Sequence, residues 1–305
     1  MKTMNDRHLY SVYFAPRGVV RMMQMGKTIA ERHLNAFDRL IGIVGEAGSG
    51  KSMLVRGMFP GLEVTNDDNG VNVRPLPLLS VEEAGFFSAH TYHIDMRFEM
   101  AFTQMQALAD AVETALRLGK RVVVEHFELL RPFISFNAEL LIGIGEEIIV
   151  TRPTLFGPTP QDIADIVFPS IRYRKMAHTA EDLSEREIAN QCDCRFEHGD
   201  VRHGFVLEFD ELPPLDIAKI QAYVLERIKQ DLPVSFCDET HIMFGEDMLH
   251  KCTGPRMHVH STGEIERFRM IPEIKYDPMS EKYLLVGLVG GAEVDIDDIN
   301  KIGMQ

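Results

Sequence analysis

The chain has 305 residues, of which 45% are hydrophobic and 26% are charged, so it is long enough for about two globular domains. Its formal net charge of −14 argues against broad, non-specific attraction to nucleic acid, which depends on neutralising phosphates. The four cysteines, two of them in Cys192-Asp193-Cys194, do not suggest a disulfide framework and fit a reducing compartment. No apolar run approaches the roughly 18 residues of a membrane span, and the polar N-terminus lacks a secretion signal. We therefore expect a soluble, cytoplasmic protein with no membrane partner.

A strand and a helix are predicted at the start of the chain. Tyr10, Val12 and Phe14 alternate with polar or small residues, which predicts a strand within 8–20 that ends at Pro16-Arg17-Gly18. Apolar residues near helical spacing predict an amphipathic helix over 20–34.

A glycine-rich stretch follows an apolar run at 39–44 that predicts a buried strand, and it precedes a run at 53–58 that can continue as a helix. The stretch fits the phosphate-binding pattern G-x-x-x-x-G-K-[ST], in which glycines let backbone N–H groups curl around phosphate oxygens at a helix N-terminus. In this pattern Lys51 reaches the β and γ phosphates, and the Ser52 hydroxyl holds Mg²⁺. The sequence therefore predicts a site for ATP with Mg²⁺, built from Gly45, Gly48, Ser49, Gly50, Lys51 and Ser52.

Strands and helices alternate through the rest of the first half. Extended segments are predicted at 62–65, 71–73, 76–79, 91–95, 120–125 and 147–150, with helices at 98–118 and 133–142. This alternation predicts a mostly parallel α/β sheet. The polar run 66–70 reads as a turn, in which Asp67 and Asp68 are turn formers rather than ligands.

Two acidic residues at predicted strand ends can complete the nucleotide site. Asp95 lies in a stretch that also holds His93 and Arg97; its carboxylate can bind Mg²⁺ through water or accept a proton, and the arginine can face phosphate. Glu125 ends a buried strand, at the edge of a parallel sheet where ligands bind. The alternative is that both carboxylates only cap strand ends. We interpret Lys51, Asp95 and Glu125 as candidate catalytic residues.

Three motifs in the first half point to one family. The glycine-rich loop with Val55-Arg56-Gly57 after it, the stretch Tyr92-His93-Ile94-Asp95 and the stretch Val123-Val124-Glu125-His126 resemble the small P-loop ATPase subunit of the bacterial tRNA threonylcarbamoyladenosine system. The resemblance covers residues 40–130 and implies metal-binding and catalytic roles for Asp95 and Glu125. The chain departs from the family in having Ser52 for Thr, Met96-Arg97-Phe98 for Leu-Tyr-Arg, and His126 for Trp.

A boundary is predicted near 152–160, where two prolines and a glycine cluster, and it divides the chain into domains 1–155 and 156–305. Thr159 can cap a helix that has Pro160 at its first position and Asp162 two residues further in, and that runs into the 180s. A strand at 203–209, a helix at 215–229 and a strand-rich region that ends at 283–289 complete an α+β domain.

Two clusters in the second half offer metal ligands. His178 and Asp182 are four residues apart on the predicted helix and share one face. Cys252, His258 and His260 offer a thiolate and two imidazoles, which suits Zn²⁺. The alternatives are a structural histidine and a buried thiol. A further alternative site, whose spacing matches no standard pattern, comprises Cys192, Cys194, His198 and His203.

The second half also resembles a family. His178-Thr179-Ala180 with Leu183, then Asp231-Leu232-Pro233-Val234, then Cys252 and His258-Val259 before Thr262-Gly263-Glu264-Ile265, resemble the second additional (editing) domain of alanyl- and threonyl-tRNA synthetases and of free-standing alanyl-tRNA editing proteins. The resemblance covers residues 160–290. It implies Zn²⁺ held by His178, Asp182, Cys252 and His258, and hydrolysis of the ester of a mischarged tRNA.

This half departs from the family at two places. Asp182 stands where the family has its second helical histidine, and two extra residues separate Cys252 from His258. A ligand set with Asp182 is chemically possible, as are three protein ligands and a water with Asp182 as a base. A site that only binds is a third alternative.

The expected architecture is an α/β P-loop NTPase domain followed by an α+β editing-type domain. We expect ATP-coupled or ATP-regulated hydrolysis or recognition of an aminoacyl ester, with tRNA as a candidate partner. The alternatives are a nucleoside-type small-molecule kinase with a C-terminal binding module, and a non-catalytic sensor of nucleotide and aminoacyl group. The acidic balance weakens the case for tRNA, which the basic run 172–175 supports unless it is only a solvated helix face.

Overall fold

The computed structural model describes residues 10–62, 64, 76–81, 89–291 and 299–300. The chain forms two compact units, of which unit 1 comprises residues 1–15 and 19–169, and unit 2 comprises 16–18 and 170–305. The two units divide at 169/170, whereas the predicted boundary is at 155/156. The predicted turn at 66–70 and extended segment at 71–73, and part of the predicted strand at 62–65, lie outside the described residues.

Unit 1 is built on a six-stranded mixed sheet whose strand order is β1-β6-β5-β2-β4-β3. The neighbours β5, β2, β4 and β3 run parallel to one another, and β6 and β1 extend the sheet in antiparallel fashion. Strands β2 and β5 are buried at every residue, as expected for parallel strands that are covered on both faces. The strands are β1 (Ser11–Phe14), β2 (Leu40–Gly45), β3 (Thr91–Asp95), β4 (Arg121–Glu125), β5 (Leu140–Ile144) and β6 (Glu147–Thr151).

The helices of unit 1 are α1 (Val19–His33), α2 (Lys51–Met58), α3 (Met96–Glu99), α4 (Met105–Arg117) and α5 (Phe127–Leu130), with short 3₁₀ turns at Pro77–Ser80 and Arg131–Phe133. Helices α1 and α2 approach so closely that only glycine fits at the crossing. A Cβ atom on Gly26 would lie 2.2 Å from the carbonyl oxygen of Leu54, and one on Gly57 would lie 2.0 Å from that of Met23. This contact packs α1 against the helix that carries Lys51.

Two predicted helices of unit 1 are wrong. Part of the predicted helix at 133–142 is β5, because a short apolar run that is buried on every side has no periodicity to separate strand from helix. The predicted helix at 98–118 is interrupted. The Asp95 carboxylate accepts the N–H of Phe98 and begins α3, and Gln104, with φ −65° and ψ 141°, is extended and begins α4.

Unit 2 contains two antiparallel sheets. One has the order β12-β14-β8-β7, with β13 paired to β14, and the other has the order β11-β10-β9. A core of buried apolar side chains from α6, α7, β8, β10 and β14 lies between the helices and these strands. Helix α6 (Pro160–Gln191) starts in unit 1 and continues into unit 2 from residue 170. The other elements of unit 2 are β7 (Glu197–Val201), β8 (Gly204–Phe209), α7 (Ile217–Gln230), β9 (Val234–Asp238), β10 (His241–Phe244), β11 (Met248–Lys251), β12 (Arg269–Met270), β13 (Lys275–Asp277) and β14 (Lys282–Leu288).

Helix α6 begins as the sequence predicts. The N–H of Asp162 donates to the Thr159 hydroxyl at 3.2 Å, and the Asp162 carboxylate accepts the N–H of Thr159 at 2.7 Å. In unit 2 the helix places His178, Asp182 and two glutamates on one face by their spacing of three and four residues. Within the described ranges, α6 and the other helices lack the combination of length and apolarity that a membrane crossing requires.

We predict that Gly26→Ala lowers the free energy of unfolding of unit 1 by about 2 kcal/mol, because the added methyl group must displace backbone. This loss exceeds the gain of about 1 kcal/mol that alanine normally brings to a helix. Urea unfolding followed by circular dichroism measures the change. Gln24→Ala, at an exposed position of the same helix, is the control and should change stability by less than about 0.5 kcal/mol. Unchanged or increased stability of Gly26→Ala would contradict the close contact.

Candidate functional site

The glycine-rich loop joins the end of β2 to the start of α2. Gly50 has φ +95°, a left-handed conformation that favours glycine, and it turns the chain directly into α2 at Lys51. The Lys51 side chain is buried, and its Nζ donates to the carbonyl oxygen of Glu46 at 2.9 Å. A Cβ atom on Gly45 would lie 2.8 Å from the Ser49 hydroxyl, so the first residue of the loop packs closely against Ser49. The predicted strand, loop and helix are therefore confirmed as local structure.

Glu125 is the acidic residue that lies beside this loop. Its carboxylate is buried, and its Oε1 lies 3.0 Å from Nε2 of His93. Burial alone would raise the pKa of Glu125, but the hydrogen bond and charge of His93, with Lys51 and the Ser52 hydroxyl, lower it. An ionised carboxylate thus adjoins the lysine and the hydroxyl that the pattern assigns to phosphate and Mg²⁺. His93 is a supporting residue to which the sequence analysis gave no role. It lies on the strand predicted at 91–95, and the pairing of β3 with β4 is what brings it near Glu125.

Asp95 is placed opposite Glu125 in the pairing of β3 with β4. Its Oδ1 accepts the N–H of Phe98 at 3.1 Å, so the carboxylate caps α3. Asp95 thus ends β3 and caps the start of α3, whereas the alternative was a cap of a strand end alone. The magnesium and catalytic roles of Asp95 stay predictions.

Three of the four predicted zinc ligands come together in unit 2. Asp182 from α6, Cys252 after β11 and His258 are buried, and their donor atoms all lie within 4.8 Å of one another. The Cys252 Sγ is 3.2 Å from His258 Nε2, which is 3.6 Å from Asp182 Oδ2. Donor atoms arranged tetrahedrally at zinc bond lengths lie about 3.3–3.6 Å apart. Among the described residues Asp182 Oδ2 accepts no hydrogen bond, so this group of donors could hold a metal ion.

Neighbouring groups fix the orientation of two of these side chains. The Thr179 hydroxyl lies 3.2 Å from His258 Nδ1, which turns the other ring nitrogen, Nε2, towards Cys252. The N–H of Gly254 donates to Cys252 Sγ at 3.3 Å. Burial raises the pKa of the Cys252 thiol, against the opposing influence of Arg17 and this hydrogen bond. The pKa of His258 is held well below its usual value by burial and by Arg17, so the imidazole is neutral, the form that binds metals.

His178, the fourth predicted ligand, lies one helical turn before Asp182 but outside this group of three. Its ring centroid is 6.3 Å from that of His258. The Nδ1 atom of His178 is buried and has no hydrogen-bond partner in the part of the chain described. Burial, with the charges of Arg17 and Arg174, keeps the pKa of His178 well below its usual value. His178 is therefore a neutral base beside the candidate metal site.

Arg17 is the site residue that sequence reasoning missed. It is 3% exposed, and its guanidinium pairs with Glu181 at 2.6 Å, with Glu185 at 3.2 Å and with Asp182. Its Nη2 lies 3.6 Å from Cys252 Sγ. Burial would lower the pKa of Arg17, but the neighbouring glutamates raise it, so the charge is permanent. Pro16-Arg17-Gly18 reads as a turn in the sequence, and nothing in its spacing connects it to residues more than 160 positions away.

Two more histidines border the carboxylates of α6. His198 Nδ1 lies 2.8 Å from Glu181 Oε1, and His250 Nε2 lies 3.7 Å from Asp182 Oδ1 and 3.8 Å from Glu185 Oε2. Burial lowers the pKa of His250 to about 4, against the opposing charge of Glu185. Burial also raises the pKa of Glu185, as does Glu181, against the charge of Arg17. Burial therefore favours the neutral forms of both His250 and Glu185, which border the site.

The alternative cluster of cysteines and histidines is wrong. Cys192 and Cys194 form a disulfide with each other, which also corrects the expectation of free thiols at these positions. Their Cα atoms are 5.3 Å apart, within the reach of an S–S bond. His198 pairs with Glu181 instead, and His203 stacks on Tyr173 with ring centroids 3.8 Å apart.

The basic run 172–175 does not form a single solvated surface. Arg172 is exposed, whereas Arg174 is buried and donates to the carbonyl oxygen of Pro16 at 2.9 Å. The structure therefore removes Arg174 from the residues that could contact a nucleic acid, and the argument for tRNA from this run weakens.

Comparison with known proteins gives little. No known family matches the sequence, and no curated protein is similar to it. Two solved structures are similar at a low level. Acetylornithine aminotransferase from Elizabethkingia anophelis is 11% identical, over 73% of this chain and 66% of that chain, with a TM-score of 0.23. Ornithine aminotransferase from Toxoplasma gondii ME49 is 9% identical, over 84% and 70% of the two chains, also with a TM-score of 0.23. This chain thus spans about two thirds of their length, and similarity at this level carries no argument about fold or activity.

We predict that the metal-free protein loses stability as the pH falls from 7 to 5. The folded pKa values of His178, His250 and His258 are lowered, so below about pH 6.5 the unfolded chain binds more protons than the folded one. Each such histidine contributes a loss of up to about 1.4 kcal/mol per pH unit. Urea unfolding after chelator treatment measures this slope.

His258→Asn should make the free energy of unfolding depend less steeply on pH. His260→Asn, which replaces an exposed histidine, is its matched control and should leave the slope unchanged. A wild-type protein that is as stable at pH 5 as at pH 7 would contradict the burial of neutral imidazoles.

Proposed function

We propose that this chain binds and hydrolyses ATP with Mg²⁺ in unit 1, and that unit 2 is a zinc-dependent, editing-type module that acts on an aminoacyl ester. The observation that carries the first part is the ionised, buried carboxylate of Glu125 beside Lys51 and Ser52. The observation behind the second part is the buried group Asp182, Cys252 and His258. The resemblances over 40–130 and 160–290 support the assignment of the two activities.

In unit 1 the roles follow from charge and position. The backbone N–H groups of the loop and the ammonium of Lys51 would bind phosphate oxygens, since both present positive charge at the start of α2. The Ser52 hydroxyl would hold Mg²⁺, which neutralises phosphate charge when bound. Glu125 would accept a proton from the attacking water or hold a magnesium-bound water. His93 keeps this carboxylate in place through the contact at 3.0 Å.

In unit 2 the donor atoms of Asp182, Cys252 and His258 would hold Zn²⁺, which when bound polarises a carbonyl and lowers the pKa of water. His178 lies one turn away on α6 as a neutral imidazole, whose Nδ1 can accept a hydrogen bond from water and so orient it. Thr179 keeps the His258 ring oriented. These groups suit hydrolysis of an ester, which needs an electrophile and an oriented water molecule close together.

The sensor alternative is favoured by one observation, the ion pair between Arg17 and Asp182. A metal ligand that is already paired with a cation suits a site that only binds. A kinase differs from both, because it transfers the phosphoryl group to an acceptor and releases no free phosphate.

The nucleotide site is tested by two substitutions with different expected effects. Lys51→Ala should abolish binding of a non-hydrolysable ATP analogue, since it removes the phosphate-binding ammonium. Glu125→Gln should retain binding but reduce phosphate release by about 100-fold or more. Calorimetry and a phosphate-release assay measure the two quantities.

Glu128→Gln is the matched control, because this residue is close in sequence but pairs with His126 rather than with the loop. Normal phosphate release by Glu125→Gln would remove Glu125 from the mechanism. Formation of ADP without free phosphate, in the presence of small metabolites, would establish the kinase alternative.

The metal site is tested by zinc content and by ester hydrolysis. Cys252→Ser and His258→Asn should each lower the zinc content of purified protein, measured by mass spectrometry of the metal, from about one ion per chain towards zero. Cys237→Ser is the matched control, because that free cysteine is exposed and is not one of the three ligands. Full zinc content in Cys252→Ser would rule out the assigned ligands. Intact aminoacyl esters after incubation of charged tRNA with excess zinc-loaded enzyme would exclude the hydrolase.

A further inference from the structure

Two of the side chains that would bind the metal ion contact a positively charged side chain, Arg17. Arg17 pairs with Asp182 through Nη2 and Oδ1, and the same Nη2 lies 3.6 Å from Cys252 Sγ. The other carboxylate oxygen of Asp182 lies 3.6 Å from His258 Nε2. Two of the three proposed metal ligands therefore contact the guanidinium group of Arg17.

The reason for this arrangement is the charge on α6. Glu181, Asp182 and Glu185 lie on one face of the helix, and all three are largely or wholly removed from solvent. Buried carboxylates require a compensating positive charge, which a guanidinium or a divalent metal can supply. A metal bound by Asp182 and Cys252 would lie within a few ångströms of Arg17, where two positive charges repel strongly in a medium of low dielectric constant.

Arg17 can stay paired with other carboxylates when it moves away from Asp182. Its Nη1 already contacts Glu181 at 2.6 Å and Glu185 at 3.2 Å, and among the described residues its Nε has no hydrogen-bond partner. The guanidinium can therefore leave Asp182 and stay paired with the two glutamates, so its displacement leaves no carboxylate unpaired.

The backbone that carries Arg17 is fixed beside the metal-binding loop. Arg174 donates to the carbonyl oxygen of Pro16 at 2.9 Å. Gly18 has φ +81°, and a Cβ atom there would lie 2.8 Å from the hydroxyl of Thr253, the residue after Cys252. The change between the two states is thus a movement of one side chain.

We infer that Arg17 is an internal cation that competes with the metal ion for Asp182 and so sets the metal affinity of unit 2. The inference rests on the proposed zinc site. It also accounts for the aspartate at position 182, because a histidine there could not pair with Arg17 when the metal is absent.

The test is the zinc affinity of the full chain, measured by competition with a chromogenic chelator. Arg17→Met should bind Zn²⁺ about tenfold more tightly or better, because the competing charge is gone. Arg186→Met removes another arginine of unit 2, which donates to the carbonyl oxygen of Leu249 at 2.8 Å, and it should stay within about threefold of the wild type. Arg17→Lys, which keeps the charge, should lie between the wild type and Arg17→Met.

Equal or weaker zinc binding by Arg17→Met, with zinc bound by the wild type, would overturn the inference and leave the proposed zinc site standing. Absence of zinc binding in the wild type and in every variant would overturn both. Equal tightening in Arg17→Met and Arg186→Met would reduce the effect to general electrostatics and overturn direct competition.

A second measurement needs no destabilising substitution. The Nε–H resonance of Arg17 in the ¹⁵N-labelled wild type, assigned by its loss in Arg17→Lys, should shift when one equivalent of Zn²⁺ is added. Zinc binding that leaves this resonance unchanged would also overturn the competition.

Discussion

The burial of three carboxylates on one face of α6 is the constraint on which unit 2 depends. Glu181, Asp182 and Glu185 cannot be ionised in the interior without a counter-charge, and Arg17 supplies it. Burial of His178, His250 and His258 lowers their pKa values, so these imidazoles stay neutral. Charge compensation therefore explains the ion pairs around Arg17, and burial explains the neutral imidazoles that a metal ion needs.

Unit 1 also contains a buried carboxylate that needs a compensating positive charge. Glu125 is buried at the end of β4, and Lys51, Ser52 and His93 keep it ionised. Here the cation belongs to a loop whose geometry the glycines fix, and the hydroxyl is its neighbour in sequence. In both units a buried carboxylate lies beside a fixed cation, and in both we propose that a divalent metal ion joins them.

The sequence predicted those features that local patterns encode. The loop at 45–52, the caps of α6 and the strands that carry His93 and Glu125 follow from short motifs and periodicity. The strand at Leu140–Ile144 was predicted as a helix, because an all-apolar run carries no period. The role of Arg17 could not be predicted, because its partners are distant in sequence. The turn in which it lies has no sequence pattern that indicates which residues it contacts. The disulfide between Cys192 and Cys194 was missed, because cysteine count and compartment argued against it.

The proposed metal site of unit 2 is tested most directly by X-ray absorption at the zinc edge, on the full chain loaded with one equivalent of Zn²⁺. We expect one sulfur ligand at about 2.3 Å and nitrogen or oxygen ligands at about 2.0–2.2 Å, with the sulfur lost in Cys252→Ser. A zinc ion bound only by nitrogen and oxygen in the wild type would contradict the assignment of Asp182, Cys252 and His258 as its ligands.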